Sequence, residues 1–149
     1  MDKIGFKNFR KFTEFPEIDL RGVTILVGGN NAGKSTLVKG MLLMRDFILS
    51  KVTNTKLIPE FSFDTEHVSI GNFRRAFCRN SEAKEDTITF SISIEKFDIK
   101  VDIRGNRDSD MQPEVAHLKI SDKVNNVDFI FDYIVNKMSA RFGISGKNE

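Results

Sequence analysis

The sequence predicts a mixed α/β fold, and three observations carry that prediction. A β-branched apolar run, Val23-Thr24-Ile25-Leu26-Val27, passes through a glycine-rich turn into a helix-patterned segment ending near Ser50. Two short strand-like segments precede that unit, at 2–8 and 17–20. Four segments with period-two alternation follow it between 86 and 135. Strands that alternate apolar and polar residues keep one wet face, the pattern of an antiparallel layer. At 149 residues the chain is expected to form one domain with a real core.

In residues 2–8, Ile4, Phe6 and Asn8 fall on one face and Lys3, Gly5 and Lys7 on the other, which reads as a strand. Residues 9–16 read as a connection, followed by a short second strand at 17–20. Arg21-Gly22 then turns the chain into 23–27, expected to be a buried strand. The turn that follows is Gly28-Gly29-Asn30-Asn31-Ala32-Gly33-Lys34-Ser35, which fits G-x-x-x-x-G-K-[ST]. Glycines at 28, 29 and 33 let the backbone aim its N–H groups inward as an anion nest. From Ser35 to Ser50, Leu37, Met41 and Met44 recur at helical spacing without proline. The N-terminus of that helix adds partial positive charge at the same point. Lys34 can reach β- and γ-phosphates, Ser35 can ligate Mg²⁺, and the backbone of 29–34 can cradle the β-phosphate. Strand, turn and helix in that order distinguish a phosphate loop from a glycine turn merely capped by Ser35. The motif implies a nucleoside triphosphate ligand.

Downstream, 51–60 is polar and 61–69 irregular. A short helix is expected within 71–80, capped by Asn72, with Phe73 and Phe77 buried at i, i+4. Arg74, Arg75 and Arg79 would then form a solvated face, or a surface for nucleic acid or a partner. Segments 86–94 and 97–103 form a hairpin about Glu95-Lys96, and 115–120 with 127–135 a second. Residues 139–149 show little order. The expected organisation is 1–50, strands, loop and helix; 51–85, an irregular and helical insert; 86–136, antiparallel strands; 137–149, a tail.

Composition narrows the alternatives. With 40% hydrophobic and 30% charged residues the chain reads as a soluble globular protein, and a net charge of +2 gives no strong polyanion field. Cys78, the only cysteine, excludes an intrachain disulfide and fits a reducing compartment. No run reaches membrane-span length and the first residues lack a signal-type apolar stretch, so a cytoplasmic location is expected. His67 and His117 lie apart from each other and from any metal spacing.

Lys7-Asn8-Phe9-Arg10-Lys11-Phe12, then Ile18-Asp19-Leu20, then the loop with Thr36 and Leu37 resembles the opening of an ABC-class P-loop ATPase head. Within that class it is more similar to the RecF/SMC/OLD-like group of AAA-type ATP-binding domains than to membrane transporters. Asn30 and the pair Ser35-Thr36 match that group's loop, while Gly29 stands where many relatives carry another residue. The resemblance is close over the first 45 residues and looser at Ser69-Ile70-Gly71-Asn72-Phe73. It implies a P-loop NTPase core with an antiparallel β layer, the N-terminal lobe of such a head, binding ATP with Mg²⁺. By the same resemblance Gly28, Gly29, Asn30, Asn31, Ala32, Gly33, Lys34, Ser35 and Thr36 would hold the nucleotide. Lys34 would neutralise phosphate charge and Ser35 would hold the metal. Asn8, Phe9 and Arg10 would lie near the base or ribose, unless Phe9 and Phe12 are core and Arg10 and Lys11 simply solvated. The implied partners are a second ATPase head, as a homodimer or otherwise, and DNA or a nuclease, in repair or phage defence.

Hydrolysis asks for more than a phosphate cradle: a carboxylate for Mg²⁺ and a group that orients the attacking water. The nearest apolar run ending in an acid is Phe129-Ile130-Phe131-Asp132, but Tyr133 follows where a second acid is expected. Its flanks alternate as an exposed strand does. Ser145-Gly146 is a weak match to the ABC signature, and Gln112 sits where any polar residue would fit a loop. The expectation is an ATP-binding lobe that hardly turns ATP over alone, either a piece of a longer ATPase or a short non-hydrolysing chain. A transporter ATP-binding subunit and a nucleotide-stabilised interaction module are the competing readings.

Overall fold

The computed structural model describes residues 2–53, 60–134 and 137–144. Among them seven strands form one antiparallel sheet in the order β2-β1-β3-β4-β5-β6-β7. These are β1 Asp2–Phe9, β2 Phe12–Leu20, β3 Thr87–Ile94, β4 Phe97–Arg104, β5 Glu114–Asp122, β6 Val127–Ile134 and β7 Lys137–Ile144. Two helices accompany the sheet, α1 Lys34–Thr53 and α2 Phe73–Ala76. Helix α1 runs on past the expected stop at Ser50. No helix among the described residues is long and apolar enough to cross a membrane.

The two hairpins read from alternation, β3–β4 and β5–β6, form with the expected turns; Ile88 faces Ile103 and Phe90 faces Val101 in the first. These buried residues meet Phe6, Phe9, Phe61 and Phe63 from the other elements and Leu37, Leu43, Met44 and Phe47 from α1. Burying a side chain of this size contributes about 1.5–3 kcal/mol. Phe90 lies at the centre, with ring centroids 5.0 Å from Phe9 and 5.8 Å from Phe61.

Three expectations are corrected. Residues 12–16 are not a connection; they belong to β2, which pairs Phe15 with Phe6 and Phe12 with Phe9. Pro16 is tolerated because β2 is the sheet edge and Pro16 falls in the register irregularity between Phe15 and Ile18, where it has no Cα partner on β1. The register shifts between Ile4 and Phe6, where Gly5 sits against β2. A Cβ there would stand 2.9 Å from Glu17 Cγ and 3.1 Å from its backbone nitrogen. Second, part of the expected tail is a strand: β7 pairs along β6, setting Phe142 opposite Phe129 with centroids 5.0 Å apart. Residues 145–149, with Ser145-Gly146, and residue 135 of the expected strand lie outside the described residues.

The third correction concerns 23–27, which is not a strand and is not buried. Val23, Ile25 and Val27 are 82%, 78% and 85% exposed. A strand needs a hydrogen-bonding neighbour, and no described strand runs beside this segment. The sheet is antiparallel throughout, so the parallel core implied by the loop motif is not among the described elements.

Candidate functional site

Between 28 and 36 the chain takes the turns its residue types allow. Gly28 has φ +146°, Asn31 +69° and Gly33 +102°. The amides of Thr36 and Leu37 both donate to the Gly33 carbonyl, at 2.9 and 3.0 Å, which starts α1. A Cβ on Gly33 would collide with the Phe12 ring, so the β1–β2 turn forms the floor under the loop. Lys11 from that turn donates its ammonium to the Asn31 carbonyl. Lys34 folds back over the loop, its Nζ donating to the Gly28 carbonyl at 2.6 Å and the Gly29 carbonyl at 2.8 Å.

Over the loop lies a cavity of ≈ 230 Å³ lined by residues 30–36 with Arg10 and Lys11. A second cavity of ≈ 390 Å³ shares Arg10, Lys11, Asn31 and Thr36 with it and adds a wall carrying Arg75 and Arg79. Neither lining contains a carboxylate. That wall is fixed to the end of β1 by backbone bonds: Arg10 N donates to Ala76 O at 2.6 Å and Cys78 N to Asn8 O at 2.9 Å. Asn72 caps α2 as expected, its Oδ1 accepting from Arg75 N at 3.1 Å, and Phe73 and Phe77 are buried. Arg74, Arg75 and Arg79 are exposed, and among the described residues none of them, nor Arg10, forms an ion pair.

The loop residues, Arg10 and Lys11 therefore come together, with Gly28 and Gly29 serving as acceptors for Lys34 behind the cavity lining. Asn8 does not join them. Its Nδ2 donates to Thr87 O at 3.0 Å and its Oδ1 accepts from Ser81 Oγ at 2.8 Å. With φ +55° it sits in the turn, and it lines neither cavity at the loop.

Asp132 also lies elsewhere, in the sheet. Its Oδ1 is 2.6 Å from His117 Nδ1 and its Oδ2 accepts from Arg141 at 2.8 Å. The His117 hydrogen bond first, and Arg141 second, hold this carboxyl below the usual carboxylate range. Gln112 lines a separate cavity of ≈ 700 Å³ with Asp46 and Glu114. Spacing alone did not reveal that both histidines meet an aspartate. His67 Nδ1 lies 3.1 Å from Asp46 of α1, which also accepts from Thr65 Oγ1 at 2.6 Å. The Thr65 bond is the main cause of a lowered Asp46 pKa.

The residues fit a polyphosphate in kind: a cavity lined without a carboxylate has Lys34, Lys11 and Arg10 among its lining residues and lies at the start of α1. For Mg²⁺ the lining offers the Ser35 and Thr36 hydroxyls. Among the described residues no group of three or more His, Cys, Asp or Glu could hold a metal. No curated protein and no solved structure matches the chain. The sequence pattern of the AAA ATPase domain, by contrast, matches residues 1–149, and the chain belongs to the AAA ATPase domain family.

Proposed function

We propose that this chain binds ATP with Mg²⁺ at residues 28–36, as the ATP-binding lobe of an ABC-class ATPase of the RecF/SMC/OLD-like kind. The observation that carries it is the carboxylate-free cavity over the loop, bounded by Lys34, Lys11 and Arg10 at the start of α1. Helix-start amides and the glycine turn would cradle the β-phosphate. Lys34 would exchange its two carbonyl partners for β- and γ-phosphate oxygens. Ser35 would hold Mg²⁺, which when bound spreads the phosphate charge. Arg10, which lines the cavity over the loop, would be the residue of the opening segment to meet the nucleotide.

The apolar run 23–27, which is not the strand expected before the loop, bears on the finer part of this reading. It has the composition of a buried core strand and stands uncovered, so a parallel neighbour supplied by a second lobe or a partner head would bury it. Work on DNA, with a nuclease partner, follows from the group resemblance alone. Isothermal titration with Mg-ATP tests the proposal. A single saturable site is expected, weakened about tenfold to a hundredfold in Lys34→Ala, since charged hydrogen bonds are worth about 1.5–3 kcal/mol each. Absence of binding heat from the unmodified chain overturns it.

A further inference from the structure

We propose that Arg75 and Arg79 form a second anion subsite beside the phosphate loop, taking a phosphate group carried on the ribose of the bound nucleotide. This rests on the proposed nucleotide site and extends it. Lys34 lines the first cavity only, whereas Thr36, Asn31 and Arg10 line both. Lys34 marks the β/γ end of a bound triphosphate, so the second cavity lies toward the α-phosphate and sugar.

Charge decides what belongs there. A triphosphate with Mg²⁺ keeps roughly two negative charges, which Lys34, Lys11 and the amides at the start of α1 can meet. Arg75 and Arg79 are then surplus beside Arg10 in a cleft lined without a carboxylate, although both also line a neighbouring cavity with Asp108 and Asp110, in a chain whose net charge is only +2. None of the three has an ion-pair partner among the described residues. Arginine suits the role because its planar fork binds phosphate oxygens in pairs. The wall that carries Arg75 and Arg79 is held to the β1–β2 turn by two backbone hydrogen bonds, at 2.6 and 2.9 Å, so the cleft is built rather than a chance meeting of loose side chains.

A phosphate on the ribose has two sources, a free nucleotide phosphorylated on its sugar and the 5′-triphosphate end of a nucleic acid, whose first phosphodiester sits on the ribose. Binding of Mg-ATP, of adenosine 3′-phosphate 5′-triphosphate and of a 5′-triphosphorylated dinucleotide is measured at low salt for the full chain, for Arg75→Gln/Arg79→Gln and for Arg79→Gln alone. The proposal expects at least one sugar-phosphorylated ligand to bind about tenfold tighter than ATP. The double variant should erase that preference and leave ATP within about twofold, and the single variant should fall between. Tighter binding of the monoester marks the free nucleotide as the source, and tighter binding of the dinucleotide marks the nucleic-acid end. Equal affinity of the unmodified chain for all three overturns the subsite while leaving the ATP site standing. So does equal weakening of every ligand in the variants, because the arginines then serve the triphosphate or the fold. Failure of the unmodified chain to bind any of them refutes the ATP site itself, and the subsite with it.

Discussion

At the residue scale, Gly33 joins fold to ligand most directly. Its φ of +102° lies in the region L side chains avoid, and any Cβ there meets the Phe12 ring. Both faults act together, so Gly33→Ala should cost about 1–3 kcal/mol of strain and displace the carbonyl that starts α1. The expected outcome is a lower melting temperature together with weakened ATP binding, measured by thermal denaturation and titration. Lys34→Ala differs because it removes a charge and two loop hydrogen bonds from a half-buried side chain without adding a Cβ clash. Its melting temperature should stay close to that of the parent while binding falls. A large loss of stability in Lys34→Ala would mean the ammonium holds the loop together rather than waiting for a ligand.

At the scale of elements, the sheet joins an aromatic core to carboxylate clamps across strands. Phe90 is fully buried among Phe6, Phe9 and Phe61, so Phe90→Ala should destabilise the domain by about 3–5 kcal/mol in urea denaturation. Asp132 ties β6 to β5 and β7, and Asp98 of β4 accepts from Ser93 and Lys123. Both carboxyls sit below their ordinary value of 3.8, Asp98 through Ser93 first and Asp132 through His117 first. A depressed folded pKa gives stability that is complete above the unfolded value and vanishes as pH falls through the folded one. The urea midpoint should hold steady from neutrality to about pH 5 and drop below about pH 4. In Asp132→Asn the drop should be shallower, and an unchanged slope would remove Asp132 from that account. The hairpins β3–β4 and β5–β6 were legible because Ile88, Phe90, Val101 and Leu118 alternate with polar neighbours. In β2, Pro16 and the run from Phe12 hid the strand; only its edge position makes proline harmless. In β7, Met138, Ala140, Phe142 and Ile144 do alternate with Lys137, Ser139, Arg141 and Gly143, so the period-two signal is present in the segment read as a tail; only its exposed Phe142 and Ile144 set it apart from the buried strands. Residues 23–27 misled for the opposite reason: composition states what a segment can bury, and pairing depends on a neighbour the segment itself does not specify.

Across the whole molecule, the proposed phosphate cradle was legible because its motif lies within nine consecutive residues, 28–36. Its far wall was not, since Arg75 and Arg79 reach the loop only through the bonds linking residues 8 and 10 to 76 and 78. The same long-range view bears on catalysis. Turnover needs a group to orient water and an acid to complete the Mg²⁺ shell, yet both cavities at the loop are lined without Asp or Glu. Asp132 is committed to His117 and Arg141 within the sheet, and Asp46 to Thr65 and His67. A positioned general base contributes roughly 10²–10⁴-fold, and the acid for Mg²⁺ is missing from both linings as well, so phosphate release by this chain alone is expected to be slow. Saturating Mg-ATP with this chain alone should therefore give the same release as Lys34→Ala, followed by a continuous phosphate assay. Sustained turnover that Lys34→Ala abolishes would show that a carboxylate reaches the loop from a position the described residues do not hold.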